Sequence, residues 1–104
     1  MNGKIKGKGK EYFVDGSLKF EGEYNNDVRN GKGKEYYNDE LTYDGEFLNG
    51  RKHGKGIEYN YWGKIEFEGE FLNDMKWNGK FKEYNDNGEF IREVEYLNGE
   101  KKIR

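Results

Sequence analysis

Residues 20–36 read FEGEYNNDVRNGKGKEY: an aromatic–glycine–aromatic stretch, a polar turn, and a Gly-x-Gly stretch closing on Glu-Tyr. The pattern returns at 43–59 (YDGEFLNGRKHGKGIEY) and at 67–84 (FEGEFLNDMKWNGKFKEY). Half of it opens the chain at 7–12 (GKGKEY), and half stands at 93–99 (EVEYLNG). The landmark tyrosines Tyr12, Tyr36, Tyr59 and Tyr84 fall 24, 23 and 25 residues apart. A fixed period of this size marks an array of stacked supersecondary units.

Aromatic and β-branched residues recur two apart, and the breaks carry Asp15-Gly16, Asn49-Gly50, Trp62-Gly63, Asn87-Gly88 and Asn98-Gly99. Such pairs supply the positive φ of tight hairpin turns. Proline is absent and nothing carries a helical period, so helix content near nil is expected. A two-residue turn at Asp15-Gly16 sets Lys10 opposite Glu21 and Gly9 opposite Gly22. The next hairpin sets Gly22 against Gly33 and Glu23 against Lys32. The Trp62-Gly63 turn sets Gly56 against Gly69, and the Asn87-Gly88 turn sets Lys80 against Glu95. One register satisfies every hairpin, and a slip of one residue would turn all side chains to the other face. The sequence therefore predicts an all-β, single-layer antiparallel meander of about eight strands.

That register makes two unlike faces. One carries charge rows, Lys8, Glu23, Lys32, Glu46, Lys55, Glu70, Lys80, Glu95 and Lys10, Glu21, Lys34, Asp44, Ile57, Glu68, Lys82, Glu93: a solvated ladder that fixes pairing. The other alternates rings with glycine, as in Tyr24, Gly31, Phe47, Gly54, Phe71, Gly79, Tyr96, beside a row of Gly9, Gly22, Gly33, Gly45, Gly56 and Gly69. Rings laid over glycine backbone are the core of such a sheet, and this face is expected to be concave. Glu11, Glu35, Glu58 and Glu83 file across it. Lys4, Lys6, Lys8, Lys101, Lys102 and Arg104 crowd the two open edges, which discourages edge pairing.

The unit Tyr/Phe-x-Gly-x-Tyr/Phe followed by Gly-x-Gly resembles the MORN repeat. The residues that carry the resemblance are Phe20-Gly22-Tyr24 with Gly31-Gly33, Tyr43-Gly45-Phe47 with Gly54-Gly56, and Phe67-Gly69-Phe71 with Gly79. Phe81 and Val94 depart from it where glycines belong, as a capping unit would. The whole chain reads as one repeat domain, 1–104: a half unit at 2–19, units at 20–42, 43–66 and 67–91, and a half unit at 92–104. The resemblance implies successive hairpins and a non-catalytic role in protein interaction or assembly. It further implies likeness to small bacterial antitoxin-like proteins.

Composition sets the remaining bounds. Charged residues make up 38% of the 104 residues against 32% hydrophobic, with a net charge of −2. The signs interleave, so no footprint for nucleic acid is expected. Cysteine is absent and no apolar run suits a membrane span or leader, so the expected location is the cytoplasm. His53, the one histidine, reads as a surface loop residue without companion ligands, so no metal, cofactor or catalytic residue is expected. The glutamate file recurs once per repeat, whereas a catalytic pair would be singular.

The expected function is binding and occluding, or inhibiting, a partner protein, by a monomer or a face-to-face dimer. The alternative is a peripheral module for anionic lipid or an assembly scaffold; membrane binding needs a basic patch that the ladder cancels. The predicted partner-binding residues are Tyr37, Tyr43, Phe67, Tyr61, Trp62 and Trp77, with Glu35 and Glu58 pairing to basic groups of the partner. Tyr43 and Phe67 read as lying toward the far edge, and Trp77 as projecting from the longest loop. Truncating Tyr43, Phe67 or Trp62 is thus expected to weaken binding by about 1–3 kcal/mol and spare the fold.

Overall fold

The computed structural model describes residues 4–102, so Arg104 and the outermost residues of the two half units lie outside it. Nine strands follow one another: β1 (Gly7–Tyr12), β2 (Leu18–Asn25), β3 (Val28–Tyr37), β4 (Glu40–Leu48), β5 (Arg51–Tyr59), β6 (Ile65–Leu72), β7 (Met75–Tyr84), β8 (Phe90–Leu97) and β9 (Glu100–Lys102). They pair antiparallel in sequence order in one open sheet, and no described residue is helical. The slab measures 56 × 31 × 15 Å. The ninth strand, beyond the eight expected, forms because Asn98-Gly99 turns the chain back on Leu97.

Most of the predicted central pairs are present: Gly9–Gly22, Lys10–Glu21, Gly22–Gly33, Gly56–Gly69, Lys55–Glu70, Lys80–Glu95 and Lys82–Glu93. The route to them differs. Gly16 amide donates to Phe13 O and Phe13 amide to Ser17 O, so this loop holds three residues rather than two. The same bonds recur at Asn60–Lys64 and at Asn85–Glu89. Each loop moves the pairing by one residue, and a bulge then moves it back: Lys19, Glu66 and Ile91 are skipped, so Tyr12 meets Leu18 but Glu11 meets Phe20. Two irregularities cancel.

The alternate hairpins correct the register further. Their turns, Asn26-Asp27, Asn49-Gly50, Asn73-Asp74 and Asn98-Gly99, hold both central residues at positive φ, which matches the right-handed strand twist. Beyond the first two, a bulge sets Tyr24 opposite Arg29 and Phe47 opposite Lys52, not opposite Gly31 and Gly54. Glu23 therefore has no direct partner in Lys32; its carboxylate accepts the Lys32 amide at 2.7 Å, and Glu46 accepts the Lys55 amide at 2.8 Å. In β6–β7 one residue is inserted instead of two. Lys80 thus faces Glu68 rather than Glu70, and Gly69 faces Gly79 rather than Phe81.

These positive-φ turns also reach back to an earlier strand or the segment before β1. Asp27 exchanges bonds with Ile5, Gly50 donates to Arg29 O, Asp74 exchanges bonds with Lys52, and Gly99 donates to Trp77 O. Asn30 and Asn78 add side-chain acceptors for the amides of Asn49 and Asn98. One long side of the sheet is thus tied together turn by turn.

Candidate functional site

The aromatic face is three layers thick. Its floor is glycine backbone, and Phe20, Tyr43 and Phe67, all fully buried, lie across Gly33, Gly56 and Gly79 of the next strand. Tyr24, Phe47 and Phe71 stand between them, nearly as buried. The six rings meet edge to face at centroid distances of 5.2–5.5 Å, for example Phe20–Phe47 and Tyr43–Phe71. Such pairs add about 0.5–1.5 kcal/mol each beyond their burial. Phe81 and Tyr96 extend the cluster at the C-terminal end.

Over the rings runs a file of alternating ions. Arg29 bridges Glu11 (2.9 Å) and Glu35 (2.6 Å); Lys52 bridges Glu35 (3.7 Å) and Glu58 (2.8 Å); Lys76 joins Glu58 at 3.1 Å. The cations also lie on the rings: Arg29 is 4.1 Å from the Phe20 centroid and Lys52 4.9 Å from that of Tyr43. Farther along, Glu83 holds Arg92 and Lys101, and Lys101 lies 4.8 Å over Phe81. The ladder face is looser, with Lys10–Glu21 at 3.8 Å and Lys80–Glu93 at 4.0 Å.

This enclosure shifts titrations. The Arg29 hydrogen bond, with that of Tyr24, holds Glu11 below the ordinary glutamate value of 4.5 against a burial effect that raises it. At Glu58 burial also raises, but Lys52 and Lys76 outweigh it and the carboxyl falls below 4.5. Glu66 has no such bonds; burial, helped by the Glu58 charge and opposed by Lys76, raises it. Burial, with the charges of Glu35 and Glu58, pushes the Tyr43 hydroxyl far up, so it stays a donor, to Glu46 O at 3.0 Å.

The predicted binding residues therefore divide. Tyr43 and Phe67 are core, correcting their placement toward an edge, and they cannot meet a partner. Glu35 and Glu58 already hold Arg29, Lys52 and Lys76. Trp77 sits half-buried in β7, not in a loop, with its ring against Gly99. His53 likewise lies half-buried in β5, its Nδ1 shielded and without a hydrogen-bond partner. Arg29, Lys52 and Lys76 were the overlooked residues. Their signal was a cation just after each polar turn, which only the bulges aim at the rings.

Tyr37, Tyr61 and Trp62 do reach solvent, at 62%, 84% and 42% exposure. They stand on the long side opposite the tied turns, where the β1–β2, β3–β4, β5–β6 and β7–β8 connections line up. Phe13 meets the Tyr37 ring edge-on at 5.9 Å, Tyr61 meets Trp62 at 5.7 Å, and the Trp62 indole covers Gly88 of the next connection. Val14, Phe90 and Ile91 are exposed along the same side. Of the predicted contact residues, Tyr37, Tyr61 and Trp62 are the exposed ones.

A hollow of about 650 Å³ opens on the ladder face, over Gly9, Gly22 and Gly33 and walled by residues such as Lys8, Lys10 and Glu21. A second, of about 450 Å³, lies over Gly56 and Gly69. The aromatic face, expected to be concave, is filled by its rings and ions. Among the described residues no three of His, Asp and Glu converge as a metal site. A family model described as MORN repeat matches residues 1–18, 20–42 and 43–64. No curated protein matches the chain.

Proposed function

The chain belongs to the MORN-repeat family, whose repeats are non-enzymatic modules of protein or membrane interaction, and we propose that this one docks a partner protein along its turn edge and occludes that partner's working surface. The observation that supports this reading is the exposure of Tyr37, Tyr61 and Trp62 on one long side while every other predicted contact residue is at least half-buried. Tyrosine and tryptophan supply large contact area at low entropic cost and dominate interface energetics. Contiguous exposed apolar groups of this kind mark interaction sites. The bound chain acts as an inhibitor-like or antitoxin-like plug, in the cytoplasm.

Anionic membrane is the weaker reading. A lipid surface needs clustered lysine and arginine, while the ladder alternates in sign and the cations over the rings are already paired. The test is affinity capture from the native host with wild type, Tyr37→Ala and Tyr61→Ala, beside sedimentation with anionic vesicles. A stoichiometric protein is expected with wild type, weakened by about 1–3 kcal/mol in each variant, and its own activity should fall on binding. Equal capture by all three chains, or vesicle binding that both variants retain, would refute the reading.

A further inference from the structure

The connections on the turn edge are not neutral. Residues 13–17, 38–40, 60–64 and 85–89 carry Asp15, Asp39, Glu40, Asp86 and Glu89 against a single lysine, Lys64. The Lys64 ammonium is held by Gly88 O at 2.7 Å and lies 5.8 Å from the Tyr84 ring. The Asp15 carboxyl accepts from Ser17, first its hydroxyl and then its amide, which keeps it ionised. The edge therefore sets exposed rings and aliphatic groups inside a rim of net negative charge, in which Lys64 and Lys19, the latter 5.6 Å over the Phe13 ring, are the cations, unlike the ladder face with its alternating signs.

Spacing narrows the occupant further. Adjacent strands lie about 4.8 Å apart, so these connections, two strands from one another, repeat about every 9.6 Å. An α-helix returns a side chain to the same face every seven residues, a rise of about 10.5 Å. A helix laid across the edge thus meets one apolar group per connection: Val14, Tyr37, Tyr61 with Trp62, then Phe90 with Ile91.

Resting on the docking reading above, we propose that the occupant is a basic amphipathic helix, with apolar residues at seven-residue spacing flanked by lysine or arginine. Its cations pair with Asp39, Glu40, Asp86 and Glu89, while its apolar stripe covers the rings.

The probe is a labelled helical peptide of about 20 residues carrying leucine on that spacing and lysine beside it, compared with a copy in which every lysine is glutamate. Anisotropy titrations should show the basic peptide binding at least tenfold tighter than the acidic one. The preference should shrink between 50 and about 300 mM salt, because exposed ion pairs are screened. Glu40→Lys with Asp86→Lys should reverse the preference, and Tyr61→Ala should weaken both peptides alike. Equal affinity for the two peptides, or no effect of salt, overturns the basic partner while leaving the edge in place. Indifference to Tyr61→Ala, with a melting temperature equal to wild type, overturns the edge itself.

Discussion

Replacing Gly45 by alanine places a methyl group where the sheet has no room. A Cβ there would stand 2.5 Å from Gly56 Cα and from the Tyr43 hydroxyl, and 2.7 Å from Lys55 O. Two of these three neighbours are backbone of β5, so relief requires β4 and β5 to part in the middle of the sheet. Overpacking of this kind costs about 1–3 kcal/mol. Alanine's restriction of the unfolded chain returns about 0.4–1 kcal/mol. The net loss should be about 1–2 kcal/mol, or a fall of roughly 4–16 °C in Tm for a domain of this size. Calorimetry or a far-ultraviolet melt reads it directly. Adding Tyr43→Phe removes the hydroxyl but neither backbone contact, so the double variant should melt no higher than Gly45→Ala. A Gly45→Ala protein that melts at or above wild type would refute the packing scheme.

Tyr43→Ala and Phe67→Ala, each emptying a fully buried site, should cost about 3–5 kcal/mol and leave little cooperative unfolding; a sharp melt near wild type would show these rings are not core. Tyr61→Ala, at 84% exposure, should change stability by less than about 0.5 kcal/mol in a denaturant titration. Acid should weaken the fold. Glu11 and Glu58 are held below 4.5, so their contribution is complete above that value and is lost as pH falls through the lowered folded values. Glu66 is raised and works oppositely, favouring the folded state as it protonates above 4.5; Glu66→Gln should therefore make the stability–pH curve just above pH 4.5 flatter.

The sheet was legible because the glycine and charge rows agree on the central pairs of every hairpin except β6–β7, where Glu68 rather than Glu70 meets Lys80. Its local path was not legible. The Asp15-Gly16 turn holds three residues, and Lys19 is skipped; a reading that counts along the chain misses both and still reaches Lys10–Glu21. The faces of Arg29 and Lys52 depend on bulges, which aim them at Phe20 and Tyr43. Without those bulges, Glu35 and Glu58 look available to a partner. Burial misled in the same way, since Tyr43 and Phe67 gain their enclosure from cations placed by the neighbouring hairpin. The exposure of Tyr37, Tyr61 and Trp62 was readable because they sit in or beside turns, where strand pairing cannot bury them.

The two long sides of the slab tolerate change differently. Along one, every turn is two residues long and each is bonded to an earlier strand or segment, from Asp27–Ile5 to Gly99–Trp77, like the stitched spine of a book. Along the other the connections vary between two and three residues, are followed by bulges, and behave as the loose page edge. A peptide inserted at Trp62-Gly63 lengthens one page. The same peptide at Asn49-Gly50 cuts a stitch to Arg29 and frees the hairpins on either side to shear. New binding loops can therefore be grafted on one margin only, and it is the margin that already carries the exposed rings.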